Sequence, residues 1–352
     1  MNGVRLRARL LDDGRRLHLQ DGPIDLVVQA WGDAHAVARA YNLARLRSAT
    51  ILDELCAELP VLRAQSTGGG PRATGVTARR MQAAVETFAR DDFITPMAAV
   101  AGAVAEQVLH AMVSGGGLRR AFVNNGGDIA LHLAPGASVK VGLCADLARV
   151  DPGAGAPRLD ADFEVHASTP VRGIATSGWR GRSFSLGIAD SVTVLARTAS
   201  QADAAATVIA NAVNVIDARI ERRSANQIKD DTDLGDIEVT VQVPPLPAEQ
   251  VQRALQAGQL RARELQRLGL IHAALLVCQH RYVGVAVETV APPSPRPSPA
   301  SGRGRQAGSL SPVLGGEGWG RGGDFEPPAA SPPSGFGLQA ETRTASEGES
   351  PA

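Results

Sequence analysis

Four polar side chains break an otherwise apolar run, ASQADAAATVIANAVNVID (Ala199 to Asp217): Asp203, Thr207, Asn211 and Asn214. Their spacing of 4, 4 and 3 stacks them on one line of a helix. Two local chemistries fit the upper pair. Ser200 as N-cap with Asp203 at the third helical position would form a capping-box-like pair, with Thr207 bonding back to a carbonyl one turn earlier. Alternatively, a carboxylate and a hydroxyl one turn apart offer the hard oxygens that Mg²⁺ accepts. Capping does not explain Asn211 and Asn214, which need polar partners, water or a ligand wherever they are buried.

Two other stretches carry chemical potential. In NNGGDIAL, residues Asn125, Gly126, Gly127 and Asp128 fit a backbone nest for a phosphate, and equally a hairpin turn between strands. In GIATSGWRGRSFSLG, Thr176, Ser177 and Gly178 supply two hydroxyls and a pliant backbone. Arg180 and Arg182 follow, able to meet phosphate oxygens or to stand solvated. Ser177 has no G-x-S-x-G context, and the seven histidines show no metal-ligand spacing.

Positioning these residues requires a framework, and the chain alternates strand and helix patterns over residues 1–290. VRLRARL, RRLHLQ and IDLVVQAW, divided by Asp12-Asp13-Gly14 and Asp21-Gly22-Pro23, predict an antiparallel meander. Helices are expected at Ala34 to Leu62, Thr77 to Arg90, Pro96 to Val113, around Ala199, and at Ala248 to Arg267. Asp91 and Asp92 are expected just before one of these helices. RRAFVNN, GGDIALHL, SVKVGLC, VRGIATSG, RSFSLG and SVTVLA read as strands, HAALLVCQHRYVGVAVE as a hairpin, and DPGAGAPRLDAD and IKDDTDLGD as loops. The expectation is a single α+β domain whose antiparallel or mixed sheet is covered by helices.

From Ala291 the composition changes: 12 of the 38 glycines and 11 of the 22 prolines fall in the last 62 residues. Residues 291–352 therefore read as a disordered Gly/Pro-rich tail, and SPRPSPASGRGR resembles a translated intergenic repeat. Equal numbers of acidic and basic residues, 36 each, exclude a strong global attraction to nucleic acid or anionic membrane. Without a signal-like or membrane-length apolar run the expected address is cytoplasmic. Cys56, Cys144 and Cys278 are dispersed among apolar neighbours, as buried unreactive thiols would be.

In order along the chain, FVNNGGDIAL, GIATSG, SVTVLA and Ala202-Asp203-Ala204-Ala205-Ala206-Thr207 resemble the ApbE family of flavin transferases, which move FMN from FAD onto a protein threonine. Closer still is the resemblance of PMAAVAGAVAEQVL, NNGGDIAL and ADSVTVLA to the UPF0280 group of that superfamily. The resemblance implies an ApbE-like fold, Mg²⁺ on Asp203 and Thr207, and a phosphate-bearing small molecule, FAD or another nucleotide, as ligand. It departs from the transferases in two places. Arg182 to Asp190 stands where they carry an iDPxTG-type motif, and Gly102 to Glu106 replaces a Lys-Gly step. The alternatives are a non-flavin enzyme of sulfur or one-carbon metabolism, and a non-catalytic binding protein with a vestigial pocket.

Overall fold

The structure, a computed structural model, describes residues 5–143 and 161–286. The Gly/Pro-rich tail, Cys144 and most of the DPGAGAPRLDAD loop lie outside the described residues.

The chain opens with β1 (Arg7–Leu10), β2 (Leu17–Asp21) and β3 (Ile24–Gly32), the expected meander. Helix α1 (Ala34–Ala57) follows, capped by Asp33, whose carboxylate accepts the Ala36 N–H at 2.9 Å. It ends at Ala57, and a separate turn, α2 (Leu59–Leu62), completes the stretch expected as one helix; Pro60 sits in its first turn. Next come α3 (Val76–Glu86), a 3₁₀ turn at Pro96–Ala99, and α4 (Val100–Ser114). Strands β4 (Leu118–Asn125), β5 (Asp128–Leu133), β6 (Ser138–Leu143), β7 (Ala161–His166), β8 (Gly173–Ser177) and β9 (Ser191–Ala196) lead into α5 (Ala199–Ala212). The chain continues through β10 (Glu221–Ser224), α6 (Ala225–Ile228), β11 (Glu238–Gln242), α7 (Ala248–Arg267), β12 (Ala273–Cys278) and β13 (Arg281–Val285).

Nine strands form one sheet in the order β1-β2-β3-β4-β5-β8-β9-β12-β13, and every pairing in it is antiparallel. Alternation decides its faces. In β3 the burial pattern alternates strictly, with Leu26 and Val28 fully buried. That face meets a helix layer in which α1, α4, α5 and α7 lie side by side. The SVKVGLC segment does not join this sheet. As β6 it pairs with β7 in a separate hairpin, with Val141 and Val165 closing a second, smaller core over Leu131, Leu133 and Ile174.

Helices α4 and α5 touch backbone to backbone. A Cβ on Gly102 would come within 2.3 Å of the Ala199 carbonyl oxygen, so this crossing tolerates only glycine. Small neighbours Ala103, Ala202 and Ala206, all buried, extend the close approach. Residues 96–114 form the one stretch, among those described, long and apolar enough to cross a membrane; half of it is buried against the sheet and neighbouring helices.

Three local expectations are corrected. RSFSLG is not a strand: Thr240 N–H takes the Ser185 carbonyl at 2.8 Å, but the Ser185 hydroxyl and Leu186 N–H dock on Asn211 of α5, and the Leu186 carbonyl and Ile188 N–H on Asn214 and Val213 just beyond it. Asp91 and Asp92 lie in the turn after α3, ahead of a Thr95-capped 3₁₀ turn, and Asp92 pairs with Arg261 of α7. Cys56 is exposed, because its position in α1 falls one step of about 100° beyond the buried Leu55. Cys278 is buried as expected; its Sγ donates to the Ile188 carbonyl at 3.4 Å, and burial pushes the thiol up to about 12.

Candidate functional site

The β4–β5 hairpin turns through Gly126 and Gly127, at φ +66° and +117°, a mirror-image turn that side chains resist. Asn125 and Asp128 pair across it. Asn124 Oδ1 accepts the Gly127 N–H at 2.8 Å, so that donor is spent within the turn and not presented to a nest. Asn125 is buried, and its amide donates to the Ala101 carbonyl at 3.2 Å, tying the hairpin to the start of α4.

Asp128, also buried, accepts the Thr176 N–H at 3.1 Å. Loss of hydration raises its pKa to about 7, against the hydrogen bond from Thr176 and the attraction of Arg182. The strand carrying Thr176 sorts its own side chains. Ala175 faces the helix layer and Ile174 the small hairpin core, so Thr176 points to the far face, where its hydroxyl meets that of Thr193 at 2.9 Å. Alternation puts Ser177 on the face of Asp128. Gly178 packs against the base of the next loop: a Cβ there would lie 2.4 Å from the Asp190 carbonyl oxygen.

Helix α5 brings the second carboxylate. Its N-cap is Thr198, whose hydroxyl accepts the Gln201 N–H at 3.2 Å, not Ser200. Ser200 instead donates its N–H and hydroxyl to Glu106 Oε1 of α4, at 2.7 and 2.8 Å. Asp203 is thereby released from capping its own helix. Its Oδ2 accepts the Gly102 N–H at 2.9 Å, and the nearby Ala101 N–H favours its charged form, so it caps the N-terminus of α4. Although Asp203 keeps some solvent contact as a residue, lost hydration first and the charge of Asp128 second hold its pKa well above the usual carboxylate range. Two carboxylates therefore share one poorly hydrated space, with half-buried Thr207 one turn along α5.

The seam divides at this point. Asn211 Oδ1 accepts Leu186 N–H at 2.9 Å and the Ser185 hydroxyl at 3.2 Å. Asn214 donates to the Leu186 carbonyl at 3.1 Å and accepts from Arg222 at 2.7 Å. These amides clasp the 178–190 loop, which leaves Asp203 of the seam to face Asp128 at the hairpin turn, with Thr207 one turn further along α5. The loop in turn sets its two arginines apart. Arg180 pairs with Asp190 at 3.1 Å and lies over Trp179, whereas the Arg182 guanidinium rests on Gly126. Two clefts, of about 580 and 570 Å³, lie elsewhere, at residues 214–222 and around Trp31 and Arg120.

Among the described residues no group of three His, Cys, Asp or Glu side chains gathers as a metal cage. The donor set still fits Mg²⁺, which is commonly held by one or two carboxylates and completes its octahedron with water and ligand phosphates. A divalent cation there would offset the lost hydration and, second to it, the charge of Asp128 that together raise Asp203. Glu106 and Arg80, joined at 2.5 Å behind α5, escaped the sequence reading; the only signal was the acidic residue ending GAVAE in an apolar helix.

Fold and site together define an ApbE-like α+β protein with a carboxylate pair at a double-glycine turn. The chain belongs to the family described as AbpE bacteria, which matches residues 8–288. It is similar to UPF0280 proteins of Methanothrix thermoacetophila (39% identical over 121 residues, 34% of this chain and 46% of that one) and Methanothermobacter thermautotrophicus (42% over 123 residues, 34% and 43%). A UPF0280 protein of Methanopyrus kandleri is 37% identical over 155 residues, 44% of this chain and 56% of its own. The chain thus spans about half the length of the curated relatives it matches. Among solved structures it is similar to the ApbE protein of Thermotoga maritima (13% identity, 81% of this chain and 97% of that chain, TM-score 0.34). The apo flavinyl transferase ApbE of Pseudomonas stutzeri is likewise distant (11%, 82% and 98%, TM-score 0.35).

Proposed function

We propose that this protein is a Mg²⁺-dependent enzyme of transferase type that binds a phosphate-bearing small molecule, FAD or another nucleotide, at the β4–β5 turn. The observation that carries this reading is the release of Asp203 from capping α5 and its placement beside Asp128. In this reading Asp203 and Thr207 hold the cation, with Asp128 across from them. When bound, Mg²⁺ supplies Lewis-acid neutralisation of a diphosphate. The chain's own part is positional. Glu106 fixes the first turn of α5, Asn125 fixes the hairpin to α4, and Thr176 N–H holds Asp128 in place.

The test is calorimetry of the full chain with MgCl₂ and FAD, comparing the wild type with Asp203→Asn. This variant keeps an oxygen to accept the Gly102 N–H and removes the charge. The expected outcome is a Mg²⁺-dependent FAD isotherm that weakens at least about tenfold in the variant, the worth of one charge-assisted contact. Equal binding in both proteins rejects the metal role of Asp203. A second reading, a binding protein without catalysis, is favoured by one feature: Asp203 Oδ2 already serves the N-terminus of α4. Binding of FAD with and without Mg²⁺ at the same affinity would select it.

A further inference from the structure

The 178–190 loop delivers two arginines near the site and treats them differently. Arg180 is spent on Asp190 and the Trp179 ring. Arg182 is exposed, and among the described residues no carboxylate lies within ion-pair distance of it. Its guanidinium nonetheless lies over the turn closely enough that a Cβ on Gly126 would fall 1.7 Å from Nη2. It is also close enough to Asp128 to favour that side chain's charged form. The loop is anchored for this placement: Trp179 N–H meets the Ala189 carbonyl at 3.0 Å at its base, and Asn211 clasps Ser185 and Leu186 further along.

A positive fork on the turn and two carboxylates behind it make an electrically divided site. A bare polyanion reaching Arg182 would also approach two poorly hydrated carboxyl groups, Asp128 and Asp203, which offer it no positive partner and repel it wherever they ionise. A divalent cation seated at the carboxylates reverses that sign. The oxyanion would then lie between two positive groups, one of them a planar fork shaped for phosphate.

We infer that Arg182 is the anion-recognising arm of this site, gripping an oxygen of a diphosphate-class ligand over the Gly126–Gly127 turn, and that this grip operates only with a divalent cation at the carboxylates. This rests on the reading above for the cation and adds the residue and the order of dependence. Linkage makes the dependence reciprocal: whatever factor the cation adds to diphosphate affinity, diphosphate adds to cation affinity.

The experiment uses the full chain, with inorganic pyrophosphate as anion probe and Mn²⁺ as cation probe. Pyrophosphate binding is followed by calorimetry with and without Mg²⁺, and Mn²⁺ binding by electron paramagnetic resonance with and without pyrophosphate. Wild-type protein is expected to bind pyrophosphate at least tenfold more tightly with Mg²⁺ present, and Mn²⁺ more tightly by a like factor with pyrophosphate present. Arg182→Gln should lose tenfold or more of the pyrophosphate affinity and leave the affinity for Mn²⁺ alone unchanged. Arg180→Gln should match the wild type in both. Since Arg182 is exposed, melting temperatures of the variant and wild type should agree, which separates lost recognition from lost folding. Pyrophosphate bound equally well by Arg182→Gln, or equally well without cation, overturns the inference. Failure of wild-type protein to bind Mn²⁺ at all instead removes the cation reading beneath it, so the two failures are told apart.

Discussion

Asp128 and Asp203 each sit where ionisation is costly, and each has a main-chain donor that keeps it in place in spite of the cost. Because the folded Asp128 titrates near pH 7, above an unfolded aspartate at about 4, the native chain holds that proton more tightly than the unfolded one. Stability from the protonated form is fully present below about pH 4 and is lost as pH rises through about 7. The charged and titratable groups facing Asp128 are Arg182, which favours its ionisation, and Asp203, whose own ionisation the Asp128 charge opposes. Asp128→Asn keeps an acceptor for Thr176 N–H and abolishes the ionisation. Its melting temperature relative to wild type should hold constant below pH 4, climb between pH 4 and 7, and flatten above. Adding 10 mM MgCl₂ should lower the climb by stabilising the wild type. A difference independent of pH from 4 to 8 would refute the buried charge. Asp203 and Asp128 were both legible as candidates from residue type and spacing. Their mutual electrostatics were not, since 75 residues separate them and only the fold brings them together.

At the scale of elements, α4 and α5 exchange carboxylates: Asp203 of α5 caps the start of α4, and Glu106 of α4 caps the start of α5. Each helix thus supplies the acceptor its neighbour's orphan donors need, and Gly102 permits the backbone contact that makes the reach short. Glu106→Ala would strand the Ser200 N–H, leave the Ser200 hydroxyl only its 3.3 Å contact with Thr198 Oγ1, and unpair the part-exposed Arg80 guanidinium. A loss of about 2 kcal/mol is expected, the scale of leaving buried donors unpaired, checked by urea unfolding. Loss under about 0.5 kcal/mol, the scale of an ordinary surface substitution, would mean that the exchange adds nothing. This pairing also explains the misplaced cap in the sequence reading. Ser200 satisfies every local rule for an N-cap, but a carboxylate 94 residues away claims its donors, and the cap moves to Thr198. Likewise the seam was visible as a line, yet helical spacing names a face without naming what faces it. Asn211 and Asn214 met a loop and Asp203 met a helix start. RSFSLG failed for the same reason, its polar groups answering to those amides more than to a strand ladder.

The whole molecule places its chemistry at one end of a helix-covered antiparallel sheet, where the β4–β5 turn, the end of β8 and the first turns of α5 meet. Antiparallel order was legible in the turns, Asp-Gly and Gly-Gly between alternating runs, because such turns connect only adjacent antiparallel strands. That the β6–β7 segment would leave this sheet and cover its other face was not legible, since a short alternating run looks the same in either sheet. Three limits bear on the extent of the working unit: the last strand among the described residues ends at Val285, the family match ends at residue 288, and apolar patterning stops at Ala291. Every residue assigned a part in the site lies inside those limits. A chain shortened to residues 1–290 is therefore expected to melt within about 1 °C of the full-length protein, since a polar Gly/Pro-rich segment has little apolar surface to bury. It should also bind Mn²⁺ and pyrophosphate with the same affinities. A drop of several degrees, or a tenfold change in either affinity, would assign the last 62 residues a role in the folded unit that their composition does not suggest.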